Sequence, residues 1–168
     1  MGCVLDGAGV IVLLMGVSGA GKTTVGSALA LELGWEYADA DDYHPVANVE
    51  KMREGTPLTD ADREPWLESL RALIMAWTTA GKNAVLACSA LKQAYRNRLM
   101  AGTPGLVVYL KADRELLRER LALRHGHYMK EGMLESQIAT LEEPARAVVV
   151  DARGTVKEIV REIRGRML

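Results

Sequence analysis

Cysteine is scarce in this 168-residue chain: Cys3 and Cys88 stand far apart, in no CxxC or Cys/His spacing. A disulfide framework and a zinc site are therefore not expected, and a reducing, cytoplasmic compartment is. Excess charge is also missing, with 21 basic against 22 acidic side chains. That balance excludes a protein whose main task is to coat nucleic acid or an anionic membrane, so any cationic chemistry must be local. Long apolar runs are absent too. The run VIVLLMGV, residues 10–17, is far too short to cross a bilayer and has no basic leader before it. Met1-Gly2-Cys3 resembles an acylation start, but Asp6 stands where that signal needs Ser or Thr, so lipidation is not expected. Neither internal repeats nor low-complexity tracts occur.

What is present begins where the apolar run ends. GVSGAGKT, residues 16–23, fits GxxxxGK[ST] without a mismatch. Gly16, Gly19 and Gly21 permit turns closed to most residues, so successive N–H groups can face inward around phosphate oxygens. Val25, Leu29 and Leu33 then recur at helical spacing. A helix starting near Lys22 would point its positive end at the same anion. The expected nucleotide ligands are Gly16, Ser18, Gly19, Ala20, Gly21, Lys22, Thr23 and Thr24. Lys22 would neutralise the β- and γ-phosphates of ATP and the Thr23 hydroxyl would ligate Mg²⁺.

Further short apolar runs at 35–40, 84–88, 106–110 and 148–150 read as strands buried on both faces. Helical periods separate them, most clearly over 62–79, where Trp66, Leu70, Leu73, Ile74 and Trp77 form a stripe, and near the C-terminus after a Thr155/Glu158 capping box. This alternation predicts an α/β fold: a P-loop NTPase domain over 1–168, with a parallel five-stranded sheet, helices on both faces and a mobile lid over about 118–133. Ligands then gather at the carboxyl ends of the strands.

The stretch DADDYHPVANVEKMREGTPLTDADREPW, residues 39–66, packs eight carboxylates and three cations into 28 positions. It is read as the substrate segment. Asp39 and Asp41 fall at the end of the second strand, beside the phosphate loop. Asp41, further out, is favoured as the base that takes a proton from a substrate hydroxyl, and Asp39 as holder of a metal-bound water; the plain alternative is that both cap the next segment. His44 and Asn48, with either Met52 or Lys51, share a helical face able to bind a polyol, or to lie in solvent. Asp60 or Asp62 caps the next helix, with Pro65 in its first turn. Arg63 is left over, at the surface or as a clamp on an anion.

Two cationic groups lie further on. In CSALKQAYR, residues 88–96, Lys92 and Arg96 fall on one expected helical face near the phosphates. In RERLALRHGHYMKEGM, residues 118–133, Arg120 and Arg124 are one turn apart and His127 follows a glycine. Closing that flap would bring positive charge to the transferring phosphoryl group and expel water. A salt-bridged surface helix is the alternative. Cys88 reads as a small core residue.

GVSGAGKTTVG, the 39–67 stretch, CSALKQAYR, RHGHYM and SQIATLEEP occur here in the order in which they occur in the small P-loop sugar-acid kinases of the gluconokinase type, which the chain resembles from residue 16 to 144. The resemblance implies transfer of the γ-phosphate of ATP to the terminal hydroxyl of D-gluconate, with Mg²⁺. It makes Lys22, Asp41, Arg120 and Arg124 catalytic, and Thr23 and Asp39 metal-binding. Asp41, His44, Asn48, Lys51, Arg63, Lys92, Arg96 and His127 become the substrate side. A homodimer is compatible with it, and neither nucleic acid nor membrane is an expected partner. Tyr128 and Ile138 stand where the family usually has Phe, and the path from Pro144 to Val148 is shorter than usual, beside the expected adenine pocket. A kinase for another small hydroxy acid, or a nucleotide-binding switch, are the rival readings.

Overall fold

Residues Ile11–Met15 form a strand, β1, in which every residue is buried. Their alternation divides the molecule, because successive side chains leave opposite faces. The computed structural model describes residues 7–123 and 131–167. Within these, β1 is followed by helix α1 (Lys22–Leu33), β2 (Glu36–Asp39), a 3₁₀ turn (Ala40–Tyr43), α2 (Val46–Arg53) and α3 (Asp60–Thr79). Then come β3 (Ala84–Ala87), α4 (Gln93–Met100), β4 (Gly105–Lys111), α5 (Arg114–Leu123), α6 (Glu131–Thr140), β5 (Val148–Asp151) and α7 (Val156–Met167).

The five strands form one sheet in the order β2-β3-β1-β4-β5. Every pairing is parallel. Ile11, Leu13 and Met15 pack with Trp66, Leu70 and Ile74 of α3 and Leu99 of α4. Val12 and Leu14 pack on the other face with Val25 and Leu29 of α1 and Ile159, Val160 and Ile163 of α7. Helices thus cover both faces, as the alternating sequence pattern demands. The outer strands depart from expectation. β2 is only partly buried, and in β5 Val149 is 41% exposed. Both are edge strands, so one side of each lacks a neighbour, and Lys111, Asp113 and Arg153 beside β5 supply the charge that guards such an edge.

The helix expected over 62–79 begins two residues earlier. Thr59, not Asp60 or Asp62, is its N-cap: the Thr59 hydroxyl accepts from Asp62 N–H at 3.1 Å, and the Asp62 carboxylate accepts from Thr59 N–H at 2.9 Å. This is a reciprocal capping box. Pro65 therefore lies in the second turn, inside the helix. The second expected box is present at Thr155 and Glu158.

All the parallel strands end on one side, which puts the β1–α1 loop, the 3₁₀ turn after β2 and the loop after β3 together. Trp66, 1% exposed, ties this rim to the core by donating its Nε1–H to the Ala40 carbonyl at 2.7 Å. Replacing it by Phe removes that donor, leaves a buried carbonyl unpaired, and is expected to cost about 1–3 kcal/mol. Urea unfolding of the Trp66→Phe variant measures this directly.

Candidate active site

The phosphate loop follows from β1 being buried and the chain having to reverse into α1. Gly19 and Gly21 sit at φ 90° and 100°, in the left-handed region that side-chain-bearing residues avoid, and Gly21 is the N-cap of α1. The Lys22 ammonium folds back to within 3.0 Å of the Val17 carbonyl. The Thr23 hydroxyl donates to Asp39 Oδ2 at 2.6 Å, and Asp39 Oδ1 accepts from Asp41 N–H at 2.9 Å. Asp39 thus ends β2 beside the loop and caps the 3₁₀ turn. Because the strand stops there, Asp41 turns into a cleft with Lys22 rather than to the opposite side of an extended segment.

That cleft is lined by Ser18, Lys22, Asp41, His44, Arg63 and Gln137, among others. A second cavity of about 190 Å³ lies on the other flank of the loop, against Gly19, Ala20, Gly21, Thr24, Arg120 and Gly154. The loop therefore separates two spaces, one rich in groups suited to a hydroxylated acid and one flanked by α1 and the β5–α7 turn. The segment 144–148, expected to border a base, lines neither. Ala152 and Gly154, in the turn after β5, line the second cavity.

Arg120 does not face the first cleft. It donates to Gly19 O at 3.1 Å, Ala20 O at 2.9 Å and Ala152 O at 2.6 Å. A trans peptide carries its C=O and N–H on opposite sides, so holding Ala20 O outward turns Gly21 N–H into the loop. Arg120 is a brace on the loop, one that also lines the second cavity. Arg124 and His127 lie outside the described residues.

His44 stacks on Trp66, with ring centroids 4.4 Å apart and an interplanar angle of 11°. Asn48, 3% exposed, donates Nδ2–H to the Asp62 carbonyl at 2.8 Å and lies 3.2 Å from His44 Nδ1. The carbonyl fixes the amide's orientation, so Nδ1 of His44 accepts and its proton sits on Nε2. Burial, with the nearby Arg63 charge, lowers the His44 pKa to about 4. The ring is a neutral donor at neutral pH. Asn48 and Lys51, expected to touch substrate, act at one remove. Asn48 is buried beneath His44, while Lys51 pairs with Asp62 at 2.8 Å and, as the foremost cause, brings that carboxyl down to about 2.

Arg63 lines the cleft and donates to the Tyr95 hydroxyl at 3.0 Å. Tyr95 donates in turn to Asp60, which also accepts from Lys92 at 2.9 Å. Lys92 is the N-cap of α4, not part of its helical face, and it reaches sideways to α3. Arg96 departs furthest from expectation. It is 2% exposed and donates to Ala90 O at 2.7 Å, Leu91 O at 3.1 Å, Gln93 Oε1 at 3.0 Å and Glu142 O at 2.7 Å. With those donors spent on the loop after β3, where Ala90 adopts φ 43°, it has a structural role. Cys88 is buried, which raises its thiol to about 12 and leaves it inert.

Gln137, Tyr95, Trp66 and Ser89 were not singled out as site residues by sequence reasoning. Each lies within a stretch that carried the resemblance, Gln137 in SQIATLEEP, Ser89 and Tyr95 in CSALKQAYR and Trp66 in 39–67, but none was given a role at the site.

A phosphate loop opening on an acceptor cleft that holds a carboxylate, on a five-stranded parallel sheet, defines a P-loop kinase. Comparison with known proteins narrows the class. Residues 11–144 match the family model described as an AAA domain. A probable gluconokinase of Xenopus tropicalis is 47% identical, with 92% of each chain covered. Among solved structures, a gluconokinase from Sinorhizobium meliloti 1021 superposes with a TM-score of 0.81 at 41% identity, over 92% of this chain and 89% of the other. An unliganded sugar kinase from Janibacter sp. HTCC2649 superposes at 0.87 with 38% identity, over 95% and 94%. The chain belongs to the gluconokinase family.

Two outcomes follow from this geometry. With the folded His44 pKa below the ordinary 6.5, the unfolded chain takes up the proton first, so stability is lost as pH falls from about 6.5 towards 4. Urea midpoints across that range should fall less steeply in His44→Gln than in the parent. Arg96→Lys, which cannot serve carbonyls on both sides of the loop, should destabilise by about 2–4 kcal/mol by the same measurement.

Proposed function

We propose that the chain transfers the γ-phosphoryl group of ATP to the 6-hydroxyl of D-gluconate, giving 6-phospho-D-gluconate and ADP. The observation that carries this is the meeting of Lys22 and Asp41 with Arg63 and His44 in one cleft beside the phosphate loop. A sugar acid presents one carboxylate and a row of hydroxyls. Arg63, His44 Nε2–H and Ser89 offer it a cation and hydrogen-bond partners, and Asp41 offers its terminal hydroxyl a base.

The hydroxyl oxygen attacks the γ-phosphorus, its proton passes to the Asp41 carboxylate, and the bond from phosphorus to the β–γ bridging oxygen breaks with ADP as leaving group. Lys22 holds the charge that builds on the phosphates. The paired oxygens of Thr23 and Asp39 suit Mg²⁺, which needs one or two protein oxygens and takes the rest from phosphate and water. Such an ion would neutralise phosphate charge. The second cavity is the seat of the nucleoside, with the Arg120 guanidinium as a surface on which a base can stack. The segment around 118–133, of which 124–130 lie outside the described residues, is assigned as the lid, and the cytoplasm, where ATP is available, as the place of work.

ADP release by the purified protein with Mg-ATP tests the reading, against D-gluconate, shikimate, glucose, glycerate and AMP. Gluconate alone should stimulate turnover, and Asp41→Asn should lower kcat by about 10²–10⁴-fold. Stimulation by a different acid would move the substrate assignment to that acid. Turnover that no acceptor stimulates would overturn the kinase reading.

A further inference from the structure

The backbone N–H of Ser18, in the phosphate loop, donates to Gln137 Oε1 of α6 at 2.7 Å. An N–H can only donate, so the amide must present its oxygen to the loop and its Nε2 group away from it. Among the described residues no acceptor takes the Nε2 hydrogens. Gln137 lines the first cleft together with Ser18, Lys22 and Asp41, whereas Gly19, Ala20, Gly21 and Thr24 line the second cavity. A nucleotide seated in the second cavity and crossing the loop therefore delivers its terminal phosphoryl group beside Gln137.

The amide is held firmly from behind. Leu134, one turn earlier on α6, is buried with Val17 of the loop, Leu91 and Leu117. Just beyond α6, Glu142 N–H donates to Leu91 O at 2.8 Å, and the Glu142 carbonyl accepts from buried Arg96 at 2.7 Å. Both ends of the approach are thus pinned to the loops that form the cleft.

We propose that Gln137 is a further catalytic residue: its Nε2–H donates to an oxygen of the γ-phosphoryl group, and the Ser18 N–H bond fixes the amide in the orientation that makes this possible. The assignment rests on the kinase reading above. During transfer, charge is spread over the three equatorial oxygens of the phosphoryl group. A neutral donor already aimed at one of them stabilises that charge without reorganising when the reaction occurs. An acid of the same shape would keep the bond to Ser18 but oppose the phosphate.

The test uses Gln137→Met, which keeps length without hydrogen bonding, and Gln137→Glu, which keeps the acceptor and loses the donor. Dissociation constants for Mg-ATP and Mg-ADP are measured by calorimetry without gluconate, beside kcat, the KM for gluconate and the melting temperature. In Gln137→Met the ATP constant should rise about tenfold while the ADP constant stays unchanged, as expected for loss of one hydrogen bond to a charged group. Its kcat should fall by about 10²-fold with the gluconate KM unchanged. Gln137→Glu should melt like the parent yet show the same ATP-over-ADP loss. Equal losses for ATP and ADP, or a Gln137→Met variant with the parent's kcat, would overturn the proposal and leave the amide as a brace. If the parent protein ignores gluconate while the ATP-over-ADP split persists, it is the substrate reading that fails, not this one.

Discussion

The structure depends on β1 lying between two parallel neighbours with both faces covered. A parallel strand in that position has no solvent side, so it must be apolar throughout, and its functional groups can only appear beyond its carboxyl end. The same direction in β2 and β3 brings their ends to the same rim. Three loops that are distant in sequence thereby become neighbours without any having to be long. The 2.6 Å bond from Thr23 to Asp39 is the local product of that constraint, joining the nucleotide end of the chain to the acceptor end.

Much of the polar chemistry around the cleft is committed to holding rather than touching. Asp62 caps α3 through Thr59, anchors Lys51 of α2 by its carboxylate, and lends its carbonyl to Asn48. His44 inherits its tautomer from Asn48 and its plane from Trp66. The cleft thus presents a few oriented groups, His44, Arg63 and Asp41, backed by a larger set whose partners are all protein. Orientation of this kind limits how much each group must be ordered when a ligand arrives.

Legibility in the sequence followed the range of the interaction. The phosphate loop, the alternation of strands and helices and the place of Asp39 and Asp41 are local patterns, and each is found where it was expected. The capping residue of α3 was missed because Thr59 and two aspartates compete within four positions. Spacing suggested one cationic face for Lys92 and Arg96, but Lys92 stands at the helix start and Arg96 points into the protein, where the carbonyls of 90 and 91 just upstream and of distant 142 receive it. An arginine buried among backbone oxygens leaves no trace in its neighbours' identities. Gln137 is a similar case, since its partner lies 119 positions away. The apolar run of β5 gave no sign that it lies at an edge, because strand order is set by which crossovers pack.

The central position of β1 also bears on how the chain is made. Its hydrogen-bonding partners begin at Ala84 and Gly105, so the strand carrying the phosphate loop is synthesised long before either neighbour exists. During that interval five consecutive apolar residues have no sheet to join. Pairings of such long sequence separation form slowly and leave exposed strands open to association. The arrangement that places the nucleotide loop at the heart of the finished sheet makes the nascent chain most vulnerable while β1 is still unpaired, and makes β4 the element whose arrival completes the flanks of β1.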